Sequence, residues 1–238
     1  MIRQLERLCD VIWPRMCQIC GREVDRPARH VCSDCLMRLP LMPCNGLCRK
    51  CGRDAPGLDG EFLCDECRAL RPGFDRAVSS FRMEGDAREL LNAFKFRDAI
   101  HLRDDLVDFL EASVRVRFVV DRISCVVPIP STLSSRWLRG YSQCEILARA
   151  LAKRLDKPFA RLLRRTGSPL SQKGLSEEDR RKNVVGTFAV AGRRRVPELP
   201  LLVDDIMTTG STLSEAAKTL KSAGAAKVYC ASVARAVR

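Results

Sequence analysis

Four Cys-x2-Cys pairs stand within the first 67 residues: Cys17 and Cys20, Cys32 and Cys35, Cys48 and Cys51, Cys64 and Cys67. A two-residue gap lets both sulfurs of a tight turn face one ion, and two such turns complete a tetrahedral shell of four thiolates. The stretch from 17 to 70 also lacks the long periodic segments that an ordinary core requires. Two tandem Zn2+ sites, 17/20/32/35 and 48/51/64/67, are the simplest partition, although an interleaved pairing meets the same spacing. Four sulfurs leave no open coordination position, so the expected role is structural. Redox-active pairs or disulfides are the competing reading, and four repeated pairs without catalytic context fit it poorly. Cys9 and Cys44 fall outside the pattern, and His30 lies near a first site that four cysteines already fill.

No run is long enough for a membrane helix, so no membrane insertion is expected. At the N-terminus Ile2, Leu5, Leu8 and Ile12 are separated by charges. That pattern predicts an amphipathic helix over 1–16 ended by Pro14, not the continuous apolar region of a signal peptide. Thirteen cysteines in such a chain point to metal in a reducing cytoplasm.

The 238 residues carry a formal charge of +13. Residues 1–70 hold 11 basic and 10 acidic side chains, so nearly all of the excess lies beyond them. An anionic partner such as phosphate, pyrophosphate or nucleic acid is therefore expected on the second part of the chain. Arg71-Pro72-Gly73 reads as a boundary, giving a module over 1–70 and a domain over 71–238.

Beyond that boundary, strands are predicted over 76–82, 123–130, 184–190, 198–203 and 227–234. Helical spacing runs through 86–112, about 142–155 and 211–223, and the polar stretch 165–183 is expected to be mobile. Strands alternating with helices imply an α/β fold with a mostly parallel sheet flanked by helices.

The most specific segment is LLVDDIMTTGSTL, residues 201–213. The strand Leu201 to Val203 would fix a loop at the carboxyl edge of the sheet, where ligands of α/β proteins bind. Thr208, Thr209, Gly210, Ser211 and Thr212 would offer backbone N–H groups and hydroxyls at a helix N-terminus, which favours phosphate. Asp204 and Asp205 are poor phosphate ligands but good acceptors for ribose hydroxyls. Neither G-x4-G-K-[ST] nor G-x-G-x-x-G is present.

This segment resembles the phosphoribosyl-pyrophosphate loop of type I phosphoribosyltransferases. In that family the paired acids hold the ribose hydroxyls, the Thr/Gly/Ser run cradles the 5′-phosphate, and Mg2+ joins the pyrophosphate. The whole chain resembles the ComF family, in which a double zinc ribbon precedes this domain. Two further segments carry that match: VVPIPSTLSSRWLRGYSQ (126–143) and SQKGLSEEDRRKNVVGTF (171–188). In the first, Arg136, Arg139, Gly140, Tyr141 and Gln143 fit the family's pyrophosphate-binding loop, with Ser142 where Asn is usual. In the second, which corresponds to the hood over the active site, Gln172, Leu175, Arg180, Asn183 and Phe188 fit. Lys95 fits as well. The resemblance thus implies Asp204, Asp205 and Arg180 as catalytic candidates, and Arg136, Arg139 and Gly140 as pyrophosphate ligands.

Two functions follow. One is phosphoribosyl transfer in nucleotide metabolism or salvage. The other is the role in natural transformation that the ComF resemblance implies, with single-stranded DNA and proteins of the DNA-uptake machinery as partners. Arg164, Arg165 and Arg193 to Arg195 read as surface charge or as contacts to a DNA backbone. Scarce aromatics, 5% of the chain, argue against an extensive base-stacking platform.

Overall fold

The computed structural model describes residues 14–25, 29–55, 57, 60–131, 141–166, 186–192 and 195–236. The cysteine segment uses one turn pattern twice. Cys17 N–H donates to Arg22 O at 2.7 Å and Gly21 N–H to Cys17 O at 2.9 Å; Cys48 N–H donates to Arg53 O at 2.7 Å and Gly52 N–H to Cys48 O at 2.8 Å. Gly21 and Gly52 have φ of 68° and 70°, the left-handed backbone that closes each turn at little steric cost. A short helix starts directly after the third cysteine of each copy: α1 (Ser33–Met37) after Cys32 and α2 (Asp65–Leu70) after Cys64. Even the flanking ion pairs repeat, Arg22 with Asp34 and Arg53 with Glu66. In the second copy β1 (Leu47–Cys48) and β2 (Glu61–Phe62) add a parallel two-residue pairing.

Beyond residue 75 the short apolar runs become strands. They are β3 (Arg76–Arg82), β4 (Cys125–Pro128), β5 (Leu163–Arg165), β6 (Phe188–Val190), β7 (Pro200–Met207) and β8 (Tyr229–Arg235). Four of them form a parallel sheet in the order β3-β8-β7-β4. Its strands are buried along almost their whole length, as expected when helices cover both faces. Alternate residues separate cleanly. Val78, Val126, Leu201, Val203 and Ala231 face α3 (Gly85–Phe96), α4 (Arg103–Arg117) and α5 (Gln143–Leu155). On the other side Ala77, Val127, Leu202 and Cys230 pack with α6 (Ser211–Ser222). The buried hydroxyls of Ser79 and Ser232 satisfy each other at 2.7 Å across β3 and β8. Cysteines of the first repeat join the α3–α4 side, and those of the second join the α6 side.

The sheet agrees with the sequence reading, with four differences. The helical run over 86–112 divides into α3, a single 3-10 turn at Ile100–Leu102, and α4; Asp98, at φ of 52°, breaks it. The predicted strand 198–203 extends to Met207, because pairing with β8 continues through Asp204↔Ser232 to Met207↔Arg235. Phe188–Val190 is a strand but pairs antiparallel with β5, outside the main sheet. β5 itself, only three residues long, carries no periodic signal to announce it. The predicted N-terminal helix falls almost entirely on residues 1–13, and most of the polar stretch 165–183 on residues 167–185, both outside the described residues.

Helix α6 is pinned by the turn before β3. Gly73 N–H donates to Ser214 Oγ at 2.9 Å, and a Cβ at Gly73 would lie 2.5 Å from Ser214 O. Gly73→Ala must therefore push α6 outward, and we expect it to lower unfolding stability by about 1–3 kcal/mol in urea titrations, the usual range for overpacking.

Candidate functional site

Parallel order places the carboxyl ends of β4 and β7 side by side, with Pro128 registered on Val203 and Ile129 N–H donating to Val203 O at 2.9 Å. From β7 the chain enters the segment Thr208 to Gly210 and then α6. Gly210 caps α6 with φ of 75°, and a Cβ there would sit 2.6 Å from Met207 Cε. The left-handed backbone favours glycine there, and a Cβ would in addition displace the flexible end of Met207. Thr209 Oγ1 accepts from Ser211 N–H at 3.3 Å and lies 2.7 Å from Ser211 Oγ, and Ser214 N–H donates to Gly210 O at 2.8 Å. The residues from Thr208 to Thr212 thus form a tight polar turn leading into a helix of 12 residues, whose first N–H groups and dipole suit a phosphate.

Asp204 and Asp205 occupy the last part of β7 and are held differently. Asp205 is buried and forms an ion pair with Lys95 Nζ at 2.9 Å, supplied by the end of α3. Burial alone would lower the Lys95 amine, but Asp205 and then Asp204 outweigh it and hold the amine above its ordinary value. Asp204 is partly exposed. Its Oδ1 accepts from Asp205 N–H at 2.9 Å and from the Cys144 thiol at 3.2 Å. Loss of surrounding water, then the charge on Asp205, push its carboxyl up to about 6. Cys144 is the second residue of α5, and burial, then the charge on Asp204, raise its thiol well above the usual value.

Two further contacts fix the approach to this edge. Tyr141 OH donates to Asp98 Oδ1 at 3.0 Å, and Gln143 Nε2 to Lys95 O at 3.2 Å, so the start of α5 is tied to the end of α3. Arg165, on β5, turns inward: its Nε donates to Pro130 O at 2.9 Å and its guanidinium lies 5.0 Å from the Phe188 ring. Burial lowers its pKa. The adjacent Arg164 is exposed, as is Arg195. Arg165 is therefore not a freely solvated surface charge, because alternation along β5 sends the two arginines to opposite sides. Arg136, Arg139, Gly140 and Arg180 lie outside the described residues, as do Arg193 and Arg194.

The cysteines form two tandem groups. The sulfurs of Cys17, Cys20, Cys32 and Cys35 lie within 4.8 Å of one another, and so do those of Cys48, Cys51, Cys64 and Cys67. A tetrahedral ion with Zn–S bonds of about 2.3 Å separates its sulfurs by about 3.8 Å. Cys20 and Cys32 stand 3.7 Å apart, and Cys51 and Cys64 3.8 Å. N–H donors face the sulfurs in both groups: Cys32 N to Cys17 Sγ and Cys64 N to Cys48 Sγ at 3.4 Å each, and Arg38 Nη2 to Cys35 Sγ at 3.1 Å. Such donors stabilise metal-bound thiolates. Each tetrad fits a structural zinc ion. A third group, Cys144, Asp204 and Asp205, brings one donor atom each within 4.8 Å; its two carboxylates suit a hard cation such as Mg2+, and its thiol does not.

Sequence reasoning missed Cys144 and Arg235. No local pattern marks Cys144, whose contact with Asp204 depends on β4 lying beside β7. Arg235 did carry a signal, being a charge inside the apolar strand YCASVAR.

The phosphoribosyl transferase domain family matches residues 142–237. Competence protein F of Haemophilus influenzae is 28% identical over 228 residues, covering 92% of this chain and 96% of that protein. The DNA utilization protein YhgH of Salmonella typhi is 26% identical over 235 residues, covering 91% and 96%. Competence protein ComFC of Bacillus subtilis is 29% identical over 153 residues, covering 63% and 54%. The parallel sheet and the matched segment that runs from α5 through the acidic pair define a protein of the phosphoribosyltransferase fold. Relatives named competence protein F and DNA utilization protein YhgH span nearly the whole chain, and two cysteine tetrads stand ahead of the sheet, the arrangement that the resemblance to the ComF family implies. No helix among the described residues is long and apolar enough to cross a membrane.

Asp204 gives the site a pH signature. Its folded value near 6 exceeds the ordinary carboxylate value of about 4, so the folded state holds the proton more tightly than the unfolded chain. Stability should fall as pH rises from about 4 to about 6 and then level off with respect to this group. Urea midpoints measured across that range should lose this fall in Asp204→Asn.

Proposed function

We propose that this protein binds a phosphorylated ribose ligand, phosphoribosyl pyrophosphate or a related nucleotide, at the carboxyl edge of β7, and that it does so in the service of DNA uptake. The observation that carries the reading is the join of Asp204–Asp205 to the glycine-capped start of α6. In this reading two carboxylates accept from the ribose hydroxyls while the turn at Thr208 to Thr212 takes the 5′-phosphate. Lys95 neutralises one carboxylate of the pair, which keeps the site open to an anionic ligand. Arg136, Arg139 and Gly140 are proposed for the pyrophosphate, and Arg180 for a contact from above. Mg2+, held near Asp204 and Asp205, would neutralise pyrophosphate charge when bound with the ligand. The part in DNA uptake rests on relatives that bear the names of competence and DNA utilization proteins, and the charge of +13 suits a nucleic-acid partner.

Phosphoribosyl transfer is the second reading, favoured by the ribose-type acid pair itself. Catalysis would then rest on positioning and charge neutralisation around an oxocarbenium-like transition state rather than on a strong base. The two cysteine tetrads, by contrast, are proposed as structural.

Titration calorimetry with phosphoribosyl pyrophosphate and Mg2+ should show saturable 1:1 binding. Asp205→Asn should weaken it at least tenfold, as expected when a buried acceptor is lost. Binding that is absent, or unaffected by Asp205→Asn and Thr209→Ala together, would refute the site. Release of labelled pyrophosphate across a panel of bases then separates transfer from binding alone.

A further inference from the structure

We infer that Arg235 is a positioning residue that ties the second cysteine tetrad to the phosphate cradle, so that metal held by Cys48, Cys51, Cys64 and Cys67 and a ligand bound at Thr208 to Thr212 stabilise each other. The ligand side of this coupling rests on the reading just proposed.

Arg235 ends β8 and is only 3% exposed. It faces no carboxylate within ion-pair distance among the described residues. Its Nη1 donates to Cys51 O at 2.7 Å and to Met207 Sδ at 3.2 Å, and its Nη2 to Cys51 Sγ at 3.5 Å. A buried guanidinium without a counter-charge is costly. Four thiolates around a divalent ion carry net negative charge, and the second tetrad is the anionic group in contact with this cation. Metal loading thus favours Arg235 in its observed place.

The same nitrogen that reaches Cys51 also touches Met207, and Met207 leads directly to the cradle. Met207 Cε packs on Gly210, 2.6 Å from where a Cβ would stand, and Phe74 Cε1 lies 3.6 Å from the same point. Met207 O accepts from Ala236 N–H at 3.0 Å, so β8 and the end of β7 move together. At the metal end there is little slack. Ala77 N–H donates to Lys50 O at 2.7 Å, and a Cβ on Gly52 would lie 2.7 Å from Ala77 O. A shift of this knuckle is therefore passed on rather than absorbed. Cys48, Cys51 and Cys67 share one apolar cluster with Phe74, Met207 and Leu213. The first tetrad docks elsewhere, through His30 N–H to Asp105 Oδ2 at 2.9 Å on α4 and against the apolar face of α3, and neither helix carries a residue of the turn Thr208 to Thr212. It serves as an internal control.

Linkage is reciprocal: a ligand favoured by the metal-loaded state must favour retention of the metal. The zinc-loaded full chain is challenged with a chromogenic chelator in Mg2+ buffer, with and without saturating phosphoribosyl pyrophosphate. N-ethylmaleimide trapping and peptide mapping assign each phase of release to its tetrad without any substitution. We expect the ligand to slow release from the second tetrad by about fivefold or more, the lower end of ordinary couplings, and to leave the first unchanged. Arg235→Met should bind zinc at both tetrads yet lose the selective slowing, and Arg235→Lys should recover part of it. Binding by calorimetry without selective protection, or equal slowing of both tetrads, overturns the coupling alone. Absence of binding overturns both the coupling and the site reading. Should Arg235→Met fail to fold, the comparison of the two tetrads in the unaltered chain still decides.

Discussion

β7 is hydrogen-bonded in parallel to β8 on one side and to β4 on the other, and the site depends on that double pairing. Pairing with β8 continues to the last residue of the strand, so Asp204 and Asp205 are held by the sheet rather than carried on a loop. Pairing with β4 ends earlier, at Val203, and beyond that point the start of α5 and the end of α3 reach the acids. An acid pair fixed by the sheet on one side and by Lys95 and Cys144 on the other is preorganised, as the proposed ligand reading requires.

Among the described residues, charge is distributed around this edge with little excess. Lys95 balances Asp205, the Cys144 thiol donates to Asp204, and Arg165 anchors to the backbone of Pro130. Below the sheet edge a second charge pattern surrounds the cysteines, where backbone N–H groups and arginines face the sulfurs. The repeated turn explains its regularity: two copies with the same hydrogen bonds place the same donors against equivalent cysteines.

Much of this was legible in the sequence because it depends on local patterns. Four Cys-x2-Cys pairs imply two tetrads, and an apolar run followed by Asp-Asp and Thr-Thr-Gly-Ser-Thr implies a strand, an acid pair and a capped helix. What was not legible depends on neighbours in space. Spacing alone allowed interleaved cysteine pairing; the docking of each knuckle on a different face of the sheet selects the tandem arrangement. β7 outran its predicted end because β8 supplied partners that no window on β7 contains. The two adjacent arginines on β5 looked equivalent in sequence and separated by strand alternation. Cys144 and Arg235 acquire their contacts only once β4, β7 and β8 lie side by side.

The raised carboxyl of Asp204 has a calorimetric consequence. A ribose hydroxyl donates to an ionised acceptor, so a ligand that engages Asp204 near pH 6 must first expel the proton this residue retains. That proton is taken up by the buffer. Heats of binding near pH 6 would then shift with the ionisation enthalpy of the buffer chosen, whereas at pH 8, with the carboxyl already bare, they would not. Buffer choice then counts the protons exchanged on binding, the ligand's phosphate included, and Asp204→Asn isolates the share of this side chain.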